Sequence, residues 1–197
     1  MLIGISRPDF FAGEADAINA LFGAGLPLLH LRKPGGSEAD VARLVERVRP
    51  EFRARLTMHY LPHLAAALGL GGYHLSNGHP PAPAGWGGRL SASCHSLEEV
   101  RRAKGRGLDY VFLSPIFDSV SKSGYKSAFS AETLARAAAE GVVDSRVVAL
   151  GGIRPSNLRR VEAMGFGGAA VLGSLWKSID NCQLTMDNFR EIWGGYI

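Results

Sequence analysis

A chain of 197 residues with 46% hydrophobic and 20% charged content carries enough apolar material for one sizeable core and does not read as disordered. Its formal net charge of +4 is spread along the chain, which argues against a nucleic-acid partner and favours a small acidic ligand. Cys94 and Cys182 lie in no CxxC or Cys/His ligand spacing, so the pattern gives no support for a zinc site and fits a reduced, cytoplasmic chain.

No segment approaches the length of a membrane span, and no basic n-region precedes an apolar run at the N-terminus. The densest basic patches, Arg53–Leu56 and Arg101–Arg106, read as solvated helix ends.

Short apolar runs alternate with helical patterns along the whole chain. Leu2–Ser6 reads as the first strand, and Glu14–Gly25 as a helix closed by glycine. Leu26–Arg32 is the second strand, and Ser37–Phe52 opens on a Ser cap and reads as helix up to Pro50. Arg55–His59 is the third strand, Leu61–Leu70 a short helix and Gly72–Ser76 the fourth strand. The stretch Asn77–Gly88 breaks the rhythm, and its Pro and Gly content predicts a long loop without a helix.

Arg89–His95 then reads as the fifth strand, followed by a helix with a capping box from Ser96 to Glu99. Asp109–Ser114 is the sixth strand, Ser130–Gly141 a capped helix, Arg146–Gly152 the seventh strand, Ser156–Phe166 a helix and Gly168–Ser174 the eighth strand. A last helix is expected near Asp187–Trp193. This order predicts a (β/α)8 TIM barrel over residues 1–197, one domain, with the helix after strand four replaced by the Pro/Gly-rich loop. A doubly wound open sheet is the rival. It would place a glycine-rich turn after the first strand, where this chain has "SRPDF".

Barrel active sites lie at the C-terminal ends of the strands. Glycines there end strands seven and eight, in "LGGI" (Leu150–Ile153) and "VLGS" (Val171–Ser174). Gly151, Gly152, Gly173 and Ser174 can therefore bring backbone N–H groups to a phosphate. "HLRK" offers Arg32 as a fork for pyrophosphate or carboxylate and Lys33 as a point charge, with Arg32 pointing inward by alternation. Ser119, Ser121 and Lys122 follow strand six in a pattern suited to an anion. Ser91, Ser93 and His95 share one face of strand five. His74 is expected inside the barrel as a hydrogen-bonded core residue, and Cys94 is expected to pack against the outer helices.

In these blocks the chain resembles the thiamine phosphate synthase family, which includes the related thiazole tautomerases. The resemblance runs from about residue 26 to 175. "DYVFLSPIFDSVSK" is similar to the family's D-Y-(apolar)3-G-P-(apolar)-F-x-T-x-(S/T)-K, "LHLRK" to Q-L-R-x-K, "GYHLSN" to G-V-H-L-G-Q, and "SASCHSLEE" to G-V-S-x-H-(S/T)-x-E-E. "VVALGGI" and "GFGGAAVLGSLW" match its closing glycine segments.

The resemblance implies a barrel that joins hydroxymethylpyrimidine pyrophosphate to thiazole phosphate in thiamine biosynthesis. The pyrimidine pyrophosphate ionises, pyrophosphate leaves, and the thiazole nitrogen attacks the carbocation. Carried over, Arg32 and Lys122 hold pyrophosphate, and Ser93 touches the pyrimidine or pyrophosphate. Ser119 and Ser121 bind the thiazole phosphate with Gly152 and the Gly173–Ser174 backbone.

The family's cofactor would be Mg2+, but its carboxylate ligands are missing. His59-Tyr60 stands where the family has Asn-Asp, and Gly78-His79 where it has the second Asp. His30 replaces the motif's Gln, and its Lys aligns with Pro34, leaving Lys33 one place early. The tautomerase branch carries a catalytic His where this chain has Pro115, so another histidine, His30, His59 or His95, would have to act as acid or base. A metal-independent tautomerase and a non-catalytic thiamine phosphate-binding regulator stay open beside the synthase. A homodimer also stays open.

Overall fold

The computed structural model describes residues 1–76, 78, 80–118, 127–180, 189 and 193. Eight parallel strands close into a barrel in chain order. They are β1 (Leu2–Ile5), β2 (Leu28–Leu31), β3 (Leu56–His59), β4 (Gly72–Leu75), β5 (Arg89–Cys94), β6 (Tyr110–Leu113), β7 (Val147–Leu150) and β8 (Gly168–Val171), with β8 pairing back to β1. Between them run α1 (Glu14–Gly23), α2 (Glu38–Glu46), α3 (Pro62–Ala67), α4 (Leu97–Lys104), α5 (Ala131–Ala139) and α6 (Leu158–Ala163), and α7 (Gly173–Asp180) follows β8. No helix separates β4 from β5 among the described residues, as the Pro/Gly content predicts. Among the described residues, no helix is long and apolar enough to cross a membrane.

Strand residues are buried on both faces, and the period of two divides them between two cores. Leu29, Leu31, Met58, Tyr73, Cys94, Val111, Leu113, Val147 and Ala149 join the helices in the large outer core. Ile3, Ile5, Leu28, Tyr110, Phe112, Val148 and Ala170 fill the inside. The inner set comes from β1, β2, β6, β7 and β8, so one half of the barrel interior is apolar. The other half holds buried polar side chains from β2 to β5: His30, Thr57, His59, His74 and Ser91.

The helices start where Ser caps are expected. Ser37, Ser96 and Ser130 accept hydrogen bonds from the backbone N–H groups of Asp40, Glu99 and Thr133, each cap worth about 1 kcal/mol. The capping box predicted from Ser96 to Glu99 closes one residue earlier, because the Glu99 carboxylate accepts from the His95 N–H at 2.6 Å.

Three other expectations are corrected. The helix read from Ser37 up to Pro50 already stops at Glu46, and Pro50 opens a 3-10 turn that runs to Arg55. The segment read as the end of strand eight turns at Leu172, and Gly173 already heads α7. Arg55 is not a solvated helix end. Its guanidinium lies over the rings of Phe22 and Phe52 and donates to the carbonyls of Phe22, Leu26 and Pro27. Most of the final helix expected near Asp187–Trp193 lies outside the described residues, but Phe189 and Trp193 are fully buried.

Candidate active site

The polar half of the interior opens at the C-terminal ends of β2 to β5. Alternation puts His30, His59 and His74 at inward positions on three neighbouring strands, and register sets His59 beside His74. His30 Nδ1 is hydrogen-bonded to His59 Nε2 at 3.0 Å, and His30 Nε2 to the Tyr110 hydroxyl at 2.5 Å. His74 Nδ1 meets Ser91 Oγ at 2.8 Å, and its Nε2 meets Ser93 Oγ at 3.0 Å. The His59 and His74 rings stack at 4.2 Å, and Phe112 closes the group from β6, 4.7 Å from His30.

Burial, with the nearby charges of His74 and Arg89, pushes His30 well below the usual imidazole range. Burial and the Arg32 charge push His74 down to about 4. Both rings are therefore neutral near pH 7 and present a polar face rather than a cationic one.

Several of the residues expected to meet anions lie on the rim above this wall. Arg32 follows β2 and is half-buried, with its backbone fixed by Ser6. The Arg32 N–H donates to Ser6 Oγ at 2.8 Å, and Ser6 Oγ donates back to the Arg32 carbonyl at 3.2 Å. Its charge is felt at His74, which puts it on the histidine side of the mouth. Gly151 and Gly152 end β7 in the left-handed region, at φ 97° and 65°. A Cβ on Gly152 would come within 2.5 Å of the Asp118 carbonyl and 2.7 Å of that of Phe117, so the chain leaving β6 lies directly on this glycine. Ser174 donates to the Ile153 carbonyl at 2.9 Å and ties the head of α7 to the same turn.

Ser119, Ser121 and Lys122 lie outside the described residues. The two ends of their segment are held together, however. The Ser127 N–H donates to Asp118 Oδ1 at 2.6 Å, and the Ala128 N–H donates to the Pro115 carbonyl at 3.1 Å. The segment thus leaves and re-enters the barrel beside Gly152.

Lys33 is placed differently from Arg32. It is buried with Glu14, and its Nζ donates to both carboxylate oxygens and to the Asp9 carbonyl. His95 is exposed, with Nδ1 3.3 Å from the Ser114 carbonyl. Cys94 packs in the outer core as expected.

Sequence reasoning missed two features. Tyr110 reads as plain strand, yet its hydroxyl is the inner partner of His30. The meeting of three histidines was also missed, although an inward His on each of three successive strands was a readable signal.

The donor set does not suit Mg2+, a hard ion that takes oxygen ligands. Among the described residues, the group of His, Cys, Asp and Glu side chains able to share an ion is His30, His59 and His74, with no carboxylate. Glu14 is engaged by Lys33. Tyr60, where the resembling family has Asp, has φ 71° and is the single described non-glycine residue with positive φ. Asp and Asn tolerate that conformation better than Tyr does.

A family model described as thiamine monophosphate synthase matches residues 3–175. The crystal structure of a thiamine phosphate pyrophosphorylase from Bacteroides thetaiotaomicron is 38% identical, with a TM-score of 0.84 over 97% of this chain and 94% of that one. The thiamine-phosphate synthase of Chlorobium phaeovibrioides is 30% identical over 83% of this chain and 81% of its own length. That of Syntrophomonas wolfei is 27% identical over 86% and 83%. With its barrel, its rim glycines and a match over most of its length, the chain belongs to the thiamine monophosphate synthase family.

Proposed function

We propose that the protein is a transferase that joins hydroxymethylpyrimidine pyrophosphate to thiazole phosphate, releasing pyrophosphate and forming thiamine phosphate. The observation that carries this reading is the pairing of a rim suited to anions with a buried polar wall in a chain of this family. The rim is Arg32, Gly151–Gly152 and the head of α7; the wall is His30, His59, His74 and Ser93.

Arg32, on a backbone tied to Ser6, offers a charge to the leaving pyrophosphate, and Lys122 adds a second from the segment after β6. The glycine turn after β7 and the N-terminal end of α7 offer backbone N–H groups to the thiazole phosphate, joined by Ser119 and Ser121. The wall meets the pyrimidine. Loss of pyrophosphate leaves a carbocation, and neutral imidazoles with the Phe112 face beside them do not repel it as imidazolium would. The thiazole nitrogen then attacks the cation, its electron pair forms the new C–N bond, and no protein nucleophile is needed.

Members of the family generally depend on Mg2+. The described residues of this chain offer no carboxylate set for it, so no step here is assigned to that ion. The proposal places the whole chain, residues 1–197, in one cytoplasmic barrel domain acting on small phosphorylated substrates. Nothing in the comparisons favours the tautomerase or the regulatory binder. Calorimetric titration tests the reading: thiazole phosphate and inorganic pyrophosphate should each bind saturably, and failure of both to bind would overturn it.

A further inference from the structure

The ring nitrogens of His30, His59 and His74, one from each residue, all lie within 4.8 Å of one another, and all three side chains are buried. We propose that these three imidazoles form a site for one divalent transition ion of nitrogen preference, of the Zn2+ class, with its fourth position open toward the barrel mouth.

Donor chemistry comes first. Three imidazole nitrogens suit a borderline ion and not Mg2+. A three-His set with one open position is an established arrangement for Zn2+. The spacing fits as well. His30 Nδ1 and His59 Nε2 already face each other at 3.0 Å. Two nitrogens bound tetrahedrally at the usual Zn–N length would sit about 3.3 Å apart. Without an ion, one of the two must carry the proton between them. An ion would take that proton's place with a shift of a few tenths of an ångström.

The outer partners fit too. A ligating histidine usually donates its other N–H to a fixed acceptor, which sets its tautomer. His30 has Tyr110 Oη at 2.5 Å on Nε2, and His74 has Ser91 Oγ at 2.8 Å on Nδ1. These bonds leave His30 Nδ1 and His74 Nε2 as the ligand atoms. His74 Nε2 now meets the exposed Ser93 hydroxyl, a partner that can be exchanged for an ion. Since His59 and His74 stack face to face, one ring must turn to complete the set. The sequence offers no ligand spacing for such a site, because its members lie on three different strands.

No carboxylate balances the ion, and Arg32 lies on the same side of the mouth. Charge balance therefore comes from outside, as hydroxide or a phosphate oxygen at the open position. The ligand set itself does not depend on the synthase reading, which uses the ion-free cluster: a bound dication takes away the neutral wall beside the carbocation, so occupancy of this site opposes that reaction.

The test uses the full chain, stripped with chelator and free of substrates, titrated with Co2+ and followed by visible absorption. One Co2+ per chain should give the strong bands of four-coordinate geometry. Zn2+ should abolish them, and a large excess of Mg2+ should not. His59→Gln, at the most exposed of the three histidines, should lose the bands while keeping the wild-type circular dichroism. Tyr110→Phe, which removes only an outer partner, should weaken Co2+ binding by about tenfold. Absence of four-coordinate bands in the wild type, or identical bands in wild type and His59→Gln, would overturn the proposal. Since no substrate enters the cuvette, its failure is distinct from failure of the synthase activity.

Discussion

Lys33 and Glu14 form a buried ion pair that anchors the start of α1 to the strand-two loop, with Nζ 2.6 and 2.8 Å from the two carboxylate oxygens. Burial raises the Glu14 carboxyl above its usual range although Lys33 pulls it down, so desolvation is the larger effect. Lys33→Met would strand that carboxylate in the core and is expected to cost about 3–5 kcal/mol. Glu14→Gln combined with Lys33→Met should cost less than the two single changes added together. Urea unfolding of the four proteins measures this directly. Singles that leave stability unchanged would show that the pair is not buried in solution.

Arg32 is set apart from its neighbour by this pairing. Arg32→Ala is expected to weaken pyrophosphate binding by about 10–100-fold, the range set by losing one charge-assisted bond, with little change in melting temperature. Lys122→Ala should do the same. Calorimetry with inorganic pyrophosphate measures both, and an unchanged affinity for either variant would remove that residue from the site.

Gly152 and Gly141 share a left-handed backbone, at φ 65° and 68°, but differ in surroundings. A Cβ at Gly152 meets the Phe117 and Asp118 carbonyls, whereas at Gly141 it meets nothing within 4 Å. Gly141→Ala should therefore cost only the backbone strain, about 1–2 kcal/mol, and keep thiazole phosphate binding. Gly152→Ala should cost more and lose that binding. Equal behaviour of the two variants would mean that the β7 turn does not form the phosphate cradle.

Cys94 carries a pH signature. Burial, with Glu99 nearby, pushes its thiol up to about 11. In a Cys182→Ser background, a thiol reagent should react slowly with the native protein at pH 8 and quickly once urea unfolds it. Because the folded pKa is raised above the usual 9, this group's contribution to stability is full below pH 9 and is lost as pH rises through 9 toward 11. Fast modification at pH 8 without denaturant would contradict this burial.

The barrel was legible because its strands read as apolar runs, and β2 to β5 also carry polar residues at alternate positions. His30 between Leu29 and Leu31, and His74 between Tyr73 and Leu75, point inward for that reason. The rim glycines were legible as well, since Gly151 and Gly152 follow an apolar run and need a backbone that other residues avoid. Residues joined only by closure of the fold were not. Glu14 and Lys33 are 19 positions apart, and nothing local marks them as partners. Lys33 therefore read as a second rim cation beside Arg32. Tyr110 meets His30 across the barrel, a relation that exists only once β1 and β8 have closed the sheet.

The most direct measurement is product formation. Purified protein is mixed with hydroxymethylpyrimidine pyrophosphate and thiazole phosphate, with Mg2+, with Zn2+ and with EDTA, and thiamine phosphate is assayed. The account expects thiamine phosphate to form only when both substrates are present, and Arg32→Ala to reduce its rate sharply. No thiamine phosphate under any of the three conditions, from protein that is folded and binds both substrates, would contradict it.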